Sequence, residues 1–190
     1  MISVVIGTRD SEVLLASTLA ALVPGAVAGL VREVIVADGG STDATATVAD
    51  VAGCRFFTST EPLGSRLGVA AAMARADWLL FLRPGSLPGT CWIDDVQRFM
   101  YETQNGGPPK RAAVFRPRSS RSRMTATLSV LATAVGALPR SERGLLIAKS
   151  HYDALGGHRA GDSDPERGLM RRIGRRRIEL LRSRSGMLGD

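Results

Sequence analysis

An α/β fold, a doubly wound and mostly parallel sheet flanked by helices in a single domain, is predicted by three observations. Over residues 1–104, short apolar runs alternate with segments of helical spacing. The runs are rich in Val, Ile and Leu with no polar alternation, as strands buried on both faces are. One of them, within residues 32–38, ends on a carboxylate, Asp38, and passes through Gly39 and Gly40 toward a helix. Open α/β sheets bind ligands outside such strand ends.

The elements follow in order. Residues 2–6 are a β-branched strand, and 11–23 a helix with Leu14, Leu15, Thr18, Leu19 and Leu22 on one side. Pro24-Gly25 is expected to stop that helix. Residues 33–37 form the second strand and 42–51 the second helix, with Ser41 as its candidate cap and Asp43 in its first turn. Residues 55–58 read as a strand, 64–75 as a small-residue helix and 77–82 as a fourth strand. A helix within 88–104 turns Trp92, Val96, Phe99 and Met100 inward. After the break Asn105-Gly106-Gly107-Pro108-Pro109, strands are expected at 112–116, 144–148 and 178–181. Helical segments are expected at 124–138, 150–155 and 166–173.

The 190 residues, 44% of them hydrophobic, suit one domain with a real core. Net charge is +7, nearly all of it arginine, since Lys110 and Lys149 are the only lysines. Residues 110–123 carry six basic side chains and no acid, and residues 167–184 are again basic. Such runs attract phosphates or simply form solvated faces. Beside the apolar residues 124–138, the segment 116–123 would settle on an anionic membrane surface. Residues 124–139 are too short to cross a bilayer. Nucleic acid is excluded as a partner, because the basic runs lack interleaved aromatics and aromatic content is 5%. Cys54 and Cys91 lie in no metal-ligand spacing. They are expected to be buried, reduced thiols in a cytoplasmic protein without a signal peptide, peripheral at most to the inner membrane face.

Gly7-Thr8-Arg9-Asp10 follows the first strand where a dinucleotide-binding protein would have G-x-G-x-x-G, and there is no P-loop. Gly64 and Gly68 open a helix that could receive an anion.

The chain resembles the family-2 glycosyltransferases of the GT-A fold, in particular their short bacterial members. Residues 3–12, SVVIGTRDSE, look like the family's S-V-I-I-P-T-x-N-E-E. Residues 36–43, VADGGSTD, look like V-V-D-G-G-S-T-D. Residues 64–77 resemble the helix ending in A-x-G-D, and Trp78-Leu79-Leu80-Phe81-Leu82 the strand before the metal motif. Leu155-Gly156-Gly157 resembles L-G-G-F, and residues 169–175 the L-x-R-R-L-G-R after the family's E-D.

The resemblance implies a GT-A nucleotide-diphospho-sugar site at the carboxyl edge of the sheet. The donor would be a nucleotide-sugar and the acceptor an unidentified hydroxyl compound, lipid-linked for many members of the family. Thr8, Arg9, Asp38 and Gly39 would surround base and ribose, Asp38 accepting hydrogen bonds from them. Arg66 would reach a phosphate. Residues 1–104 would be the nucleotide-binding half and 110–190 the acceptor-side half.

Three positions depart from the pattern. The Asp-x-Asp that holds Mg²⁺ or Mn²⁺ in the family is replaced by Arg83-Pro84-Gly85, so a metal cofactor is not expected. Arg83 is either a fixed cation facing the diphosphate or the ornament of a decayed loop. The family's E-D falls on Pro165-Glu166, which makes Glu166 the candidate base, with Asp164 its substitute. On the acceptor side, Glu142 stands in the place of G-D-Q, and His158 follows the glycine pair. Two readings remain: a metal-independent glycosyltransferase, or a non-catalytic descendant that keeps the fold and has a nucleotide-binding, regulatory or membrane-associated role.

Overall fold

The computed structural model describes residues 1–106, 112–117 and 144–188. One eight-stranded sheet organises them. β1 (Ile2–Thr8), β2 (Val31–Asp38), β3 (Arg55–Thr58) and β4 (Trp78–Leu82) are parallel, in the spatial order β3-β2-β1-β4. β7 (Leu145–Ala148) then pairs antiparallel with β4 and with β6 (Ala112–Pro117). β8 (Ile178–Met187) runs parallel to β6 and antiparallel to β5 (Ser86–Pro88), which closes the far edge. The sheet is therefore parallel from β3 to β4 and mixed beyond β4.

β1, β4 and the second half of β2 are buried on both faces, while β3 at the edge is partly covered. On one face Ile2, Val4 and Ile6 pack with Leu15 and Leu22 of α1 (Glu12–Val27), Ala49 of α2 (Thr45–Val51), and Trp92, Val96 and Phe99 of α4 (Trp92–Gln104). On the other, Val5, Leu79 and Phe81 pack with Leu67 and Ala70 of α3 (Leu63–Met73). Tyr152 of α5 (Lys149–Ala154) and Leu169, Met170 and Ile173 of α6 (Pro165–Ile173) complete that layer. Burying each large side chain contributes about 2–3 kcal/mol. Trp78 and Phe99 meet edge to face at 5.8 Å, which orients α4 on the sheet.

Four expectations need correction. α1 does not stop at Pro24 but runs to Val27. Gly25 is the reason: a Cβ there would stand 2.4 Å from the Trp92 ring, so the missing side chain lets α1 and α4 close together. Ser41 does not cap α2, whose cap position is Ala44 with no side-chain bond. The short β5 gave no periodic signal. The last strand is much longer than residues 178–181, and its far end carries Met187 back toward Ser86. Cys91 is exposed and Cys54 half-buried, against the expectation of two buried thiols. The expected helix at 124–138 lies outside the described residues, as do the 110–111 and 118–123 parts of the basic segment.

Candidate functional site

Parallel register sets Thr8, at the end of β1, directly across from Asp38, at the end of β2. The Thr8 hydroxyl donates to Asp38 Oδ1 at 2.8 Å. Oδ1 also accepts from the Ser41 hydroxyl at 2.5 Å, and Oδ2 accepts from the backbone N–H of Gly40 and of Ser41, both at 2.8 Å. Burial alone would raise the pKa of this carboxyl. The donors from Ser41, Thr8 and Gly40 outweigh that and hold it below the usual carboxylate range. A carboxylate offers about four acceptor positions, and the chain takes them all. Asp38 thus shapes its own loop.

The two loops beyond these strand ends lace together. Asp10, at φ +45°, takes the Thr42 N–H on Oδ1, while its own N–H donates to the Ser41 hydroxyl. Asp43 accepts from the Glu12 N–H, the first of α1, at 3.0 Å and from the Thr45 N–H. The carboxylate expected in the first turn of α2 therefore serves the dipole of α1. Asp10, Asp43 and Thr45 were missed as organisers of the site, because their partners lie on the other loop.

Arg66 is buried beneath this turn. Nη1 donates to the carbonyls of Ala37, at 2.5 Å, and Thr8, at 3.1 Å, and Nε to that of Glu61. A Cβ on Gly39 would meet the guanidinium at 3.0 Å, so glycine is what admits it there. Burial lowers its pKa and the Asp38 charge opposes that, while exposed Arg9 adds repulsion. Arginine still stays charged. Its Nε and Nη1 thereby grip the ends of β1 and β2 and the turn before α3.

A cavity of about 460 Å³ opens beside these loops, between Gly7, Leu67, Arg83, Asp164, Glu166 and Met187. Thr8, Arg9, Asp38 and Arg66 do not line it. Arg83-Pro84-Gly85-Ser86 is a tight turn closed by Ser86 N–H to Arg83 C=O at 3.0 Å. Proline second and glycine third at φ +87° fit a type II turn. The Gly85 N–H donates to the Leu14 carbonyl and the Thr18 hydroxyl, and the Leu188 N–H to the Gly85 carbonyl. The turn is thereby fastened to α1 and to the end of β8.

From this turn Arg83 reaches Glu166. Nε and Nη2 stand 3.0 and 2.9 Å from Oε2, and Nη2 is 3.7 Å from Asp164 Oδ1. Asp164 caps α6 by accepting from the Arg167 N–H at 3.0 Å. Pro165 occupies the first helical turn, where its missing N–H costs nothing. The structure thus brings together the three groups the sequence placed at the metal and base positions. Ser163, Leu14 and Met187 also border the cavity; nothing in local sequence marked them.

His158 is not on the cavity wall. It packs edge to face on Phe81 at 4.6 Å, with Nδ1 3.0 Å from the Tyr152 hydroxyl, which also accepts the His158 N–H. Burial, then the Arg172 charge, pushes the imidazole pKa down to about 3, so the ring is neutral. Phe81 and Tyr152 enclose it. Glu142 lies outside the described residues.

No protein-family model matches the sequence, and no curated protein matches it. Solved structures do. Glucosyl-3-phosphoglycerate synthase from Mycobacterium tuberculosis, in complex with phosphoglyceric acid, superposes with a TM-score of 0.70. The match covers 98% of this chain and 70% of that one at 21% identity. The complex with Mn²⁺ and UDP-glucose gives 0.70 over the same shares at 21%. The complex with Mn²⁺, UDP and phosphoglyceric acid gives 0.68 over 95% and 67% at 22%. The chain has the GT-A fold.

Two of those three structures contain Mn²⁺, and a further complex contains Mg²⁺. The residues here do not fit such an ion. Among the described residues no three His, Cys, Asp or Glu side chains are grouped to hold one. After β4 the GT-A chain presents a guanidinium where oxygen ligands would be needed, and that cation already sits against Glu166 and beside Asp164.

Proposed function

We propose that this chain is a glycosyltransferase that takes a nucleotide-sugar donor and transfers its sugar to an acceptor hydroxyl without a divalent ion. One observation carries the reading: the cavity at the carboxyl edge of β1 and β4 holds a cation, Arg83, against two carboxylates, Glu166 and Asp164. The fold supports it, since the similar synthase binds UDP-glucose and phosphoglyceric acid. The nucleoside would rest on the loop that Asp38 and Thr8 shape. The diphosphate would face Arg83, whose fork suits paired phosphate oxygens. A carboxylate at the start of α6 would accept the acceptor's proton as its oxygen attacks the sugar. Residues 1–104 would supply the nucleotide half and 110–190 the acceptor half of one unit.

Calorimetry with UDP-, GDP- and dTDP-sugars, in EDTA and in Mn²⁺, tests the reading, followed by assay of sugar release and transfer. Binding of at least one donor with turnover is expected; no binding and no hydrolysis of any overturns it.

The Arg83–Glu166 contact also favours the second reading, a non-catalytic nucleotide binder, because it occupies the candidate base. Binding without turnover, even with cell-extract acceptors, would select it. Among the described residues no helix is long and apolar enough to cross a membrane. A peripheral role on anionic lipid is tested by liposome flotation at varied salt and lipid charge.

A further inference from the structure

α1 is apolar on its outer side as well as its inner one. Leu15, Thr18, Leu22 and Gly25 are its buried residues. Val13, Ala16, Ala20, Val23 and Val27 recur at the same steps of three and four, and all five are exposed. Val13 is 67% exposed, Val23 56% and Val27 84%, and Val51 on the neighbouring α2 is 83%. Five of the ten exposed large apolar side chains among the described residues lie on these two helices, which makes a patch of them rather than a scatter. A surface helix turns charged and polar residues to water. Here no charged side chain stands between Glu12 and Arg32, and α2 adds only Asp50.

Alternating steps of three and four are the spacing of a helix-pair seam, where each apolar side chain enters a hole on the facing surface. Such a hole is present beside the seam. A groove of about 320 Å³ lies between the two helices, lined by Ala16, Leu19, Thr47, Val48, Val51 and Ala52. Charge and symmetry choose the occupant. The chain carries +7, so two copies repel through most of their surface. The α1 seam is a neutral stretch through which they can approach. It is also complementary to itself. Crossed antiparallel about a two-fold axis, Ala16 and Ala20 fall at the centre, where small side chains let the helices come close, and Val13 and Val23 flank them.

We propose that the outer seam of α1, with the groove beside it, is the contact through which two copies of this chain form a two-fold dimer. The inference goes beyond the nucleotide-sugar reading and does not rest on it. The paired helix is also the one that holds the turn at the cavity, since the Leu14 carbonyl and the Thr18 hydroxyl accept the Gly85 N–H. The 16 residues of α1 span about 24 Å, so the interface is a small one. Its dissociation constant is expected in the micromolar range.

Sedimentation velocity of the full chain, from about 1 to about 300 µM so as to span that range, tests the dimer. Native protein, Ala20→Glu, Ala20→Lys and an equimolar mixture of the two variants are compared. Residue 20 is exposed and both replacements are good helix formers, so each variant should fold, as thermal unfolding checks. The native chain should pass from monomer to dimer as concentration rises. Each variant alone should stay monomeric, because like charges meet near the axis. The mixture should recover the dimer, with glutamate facing lysine. Val69→Glu, at an exposed valine of α3, should leave the native behaviour unchanged. A native chain that is monomeric throughout overturns the proposal, and one that then floats with neutral phosphatidylcholine vesicles gives the face to a membrane instead. A dimer that persists in both variants, or a mixture that stays monomeric, overturns the seam as its contact.

Discussion

Thr8 and Asp38 end adjacent parallel strands in register, and the hydroxyl of one donates to the carboxylate of the other at 2.8 Å. This bond ties the ends of β1 and β2 together where their two loops begin. Asp38→Asn keeps the shape but removes the charge and puts a donor against the Gly40 and Ser41 N–H groups. It should lower stability by about 2–3 kcal/mol in urea unfolding, since buried donors lose their acceptor. Nucleotide affinity should fall with it.

Arg66 gives a second, separable expectation. Its Nη1 and Nε cover three main-chain carbonyls at the ends of β1 and β2 and before α3. Arg66→Met leaves those carbonyls short of donors and should cost about 2–4 kcal/mol, read as a lower urea midpoint. A mere phosphate contact would leave the free protein's stability unchanged.

Gly25 and Trp92 settle a sign. In an exposed helix interior, alanine for glycine gains about 0.5–1 kcal/mol. At residue 25 the new Cβ would stand 2.4 Å from a buried indole and 3.0 Å from Val31. Gly25→Ala should therefore destabilise by about 1–3 kcal/mol. A shifted Trp92 emission and a lower melting temperature would report it.

The parallel half was legible in the sequence because each strand there is a short apolar run whose neighbour is reached by one helix. Residues 55–58 and the inward set Trp92, Val96, Phe99 and Met100 emerged as read. Pro24-Gly25 misled because local stop signals say nothing of a tryptophan arriving from residue 92. The site was half legible. Arg83, Asp164 and Glu166 were named from the pattern and lie together. Asp38 and Arg66 were named too, but Arg66 meets main-chain carbonyls and Asp38 meets the Thr8 hydroxyl across the register as well as donors of its own loop, so residue type alone could not reveal these partners.

The thiols separate by burial. Cys91 is exposed, while Cys54 packs beside the core and burial pushes its pKa up to about 11. The thiolate is the reactive form. Iodoacetamide at pH 8 should modify Cys91 rapidly and Cys54 only in denaturant, counted by mass spectrometry. Modification of both in native protein at equal rates would contradict the packing.

His158 gives the pH dependence a window of its own. Folded, its ring takes a proton only near pH 3; unfolded, near its ordinary 6.5. Phe81 and Tyr152 enclose it, the Arg172 charge disfavours its protonation and that of Asp164 weakly favours it. Between those values the unfolded chain binds a proton the folded chain does not. Its contribution is therefore complete above pH 6.5 and is lost as pH falls toward 3, by at most about 1.4 kcal/mol per unit. Asp38, Glu33 and Asp95 have depressed pKa values, so their contributions are lost only below the ordinary carboxylate range. Urea unfolding from pH 7.5 to 4.5 should thus show a steady loss in the native protein. His158→Asn can still hydrogen-bond the Tyr152 hydroxyl but does not titrate, so it should flatten that slope. It should also be less stable at pH 7.5, where the lost packing on Phe81 shows alone. Equal slopes would mean that water reaches the ring.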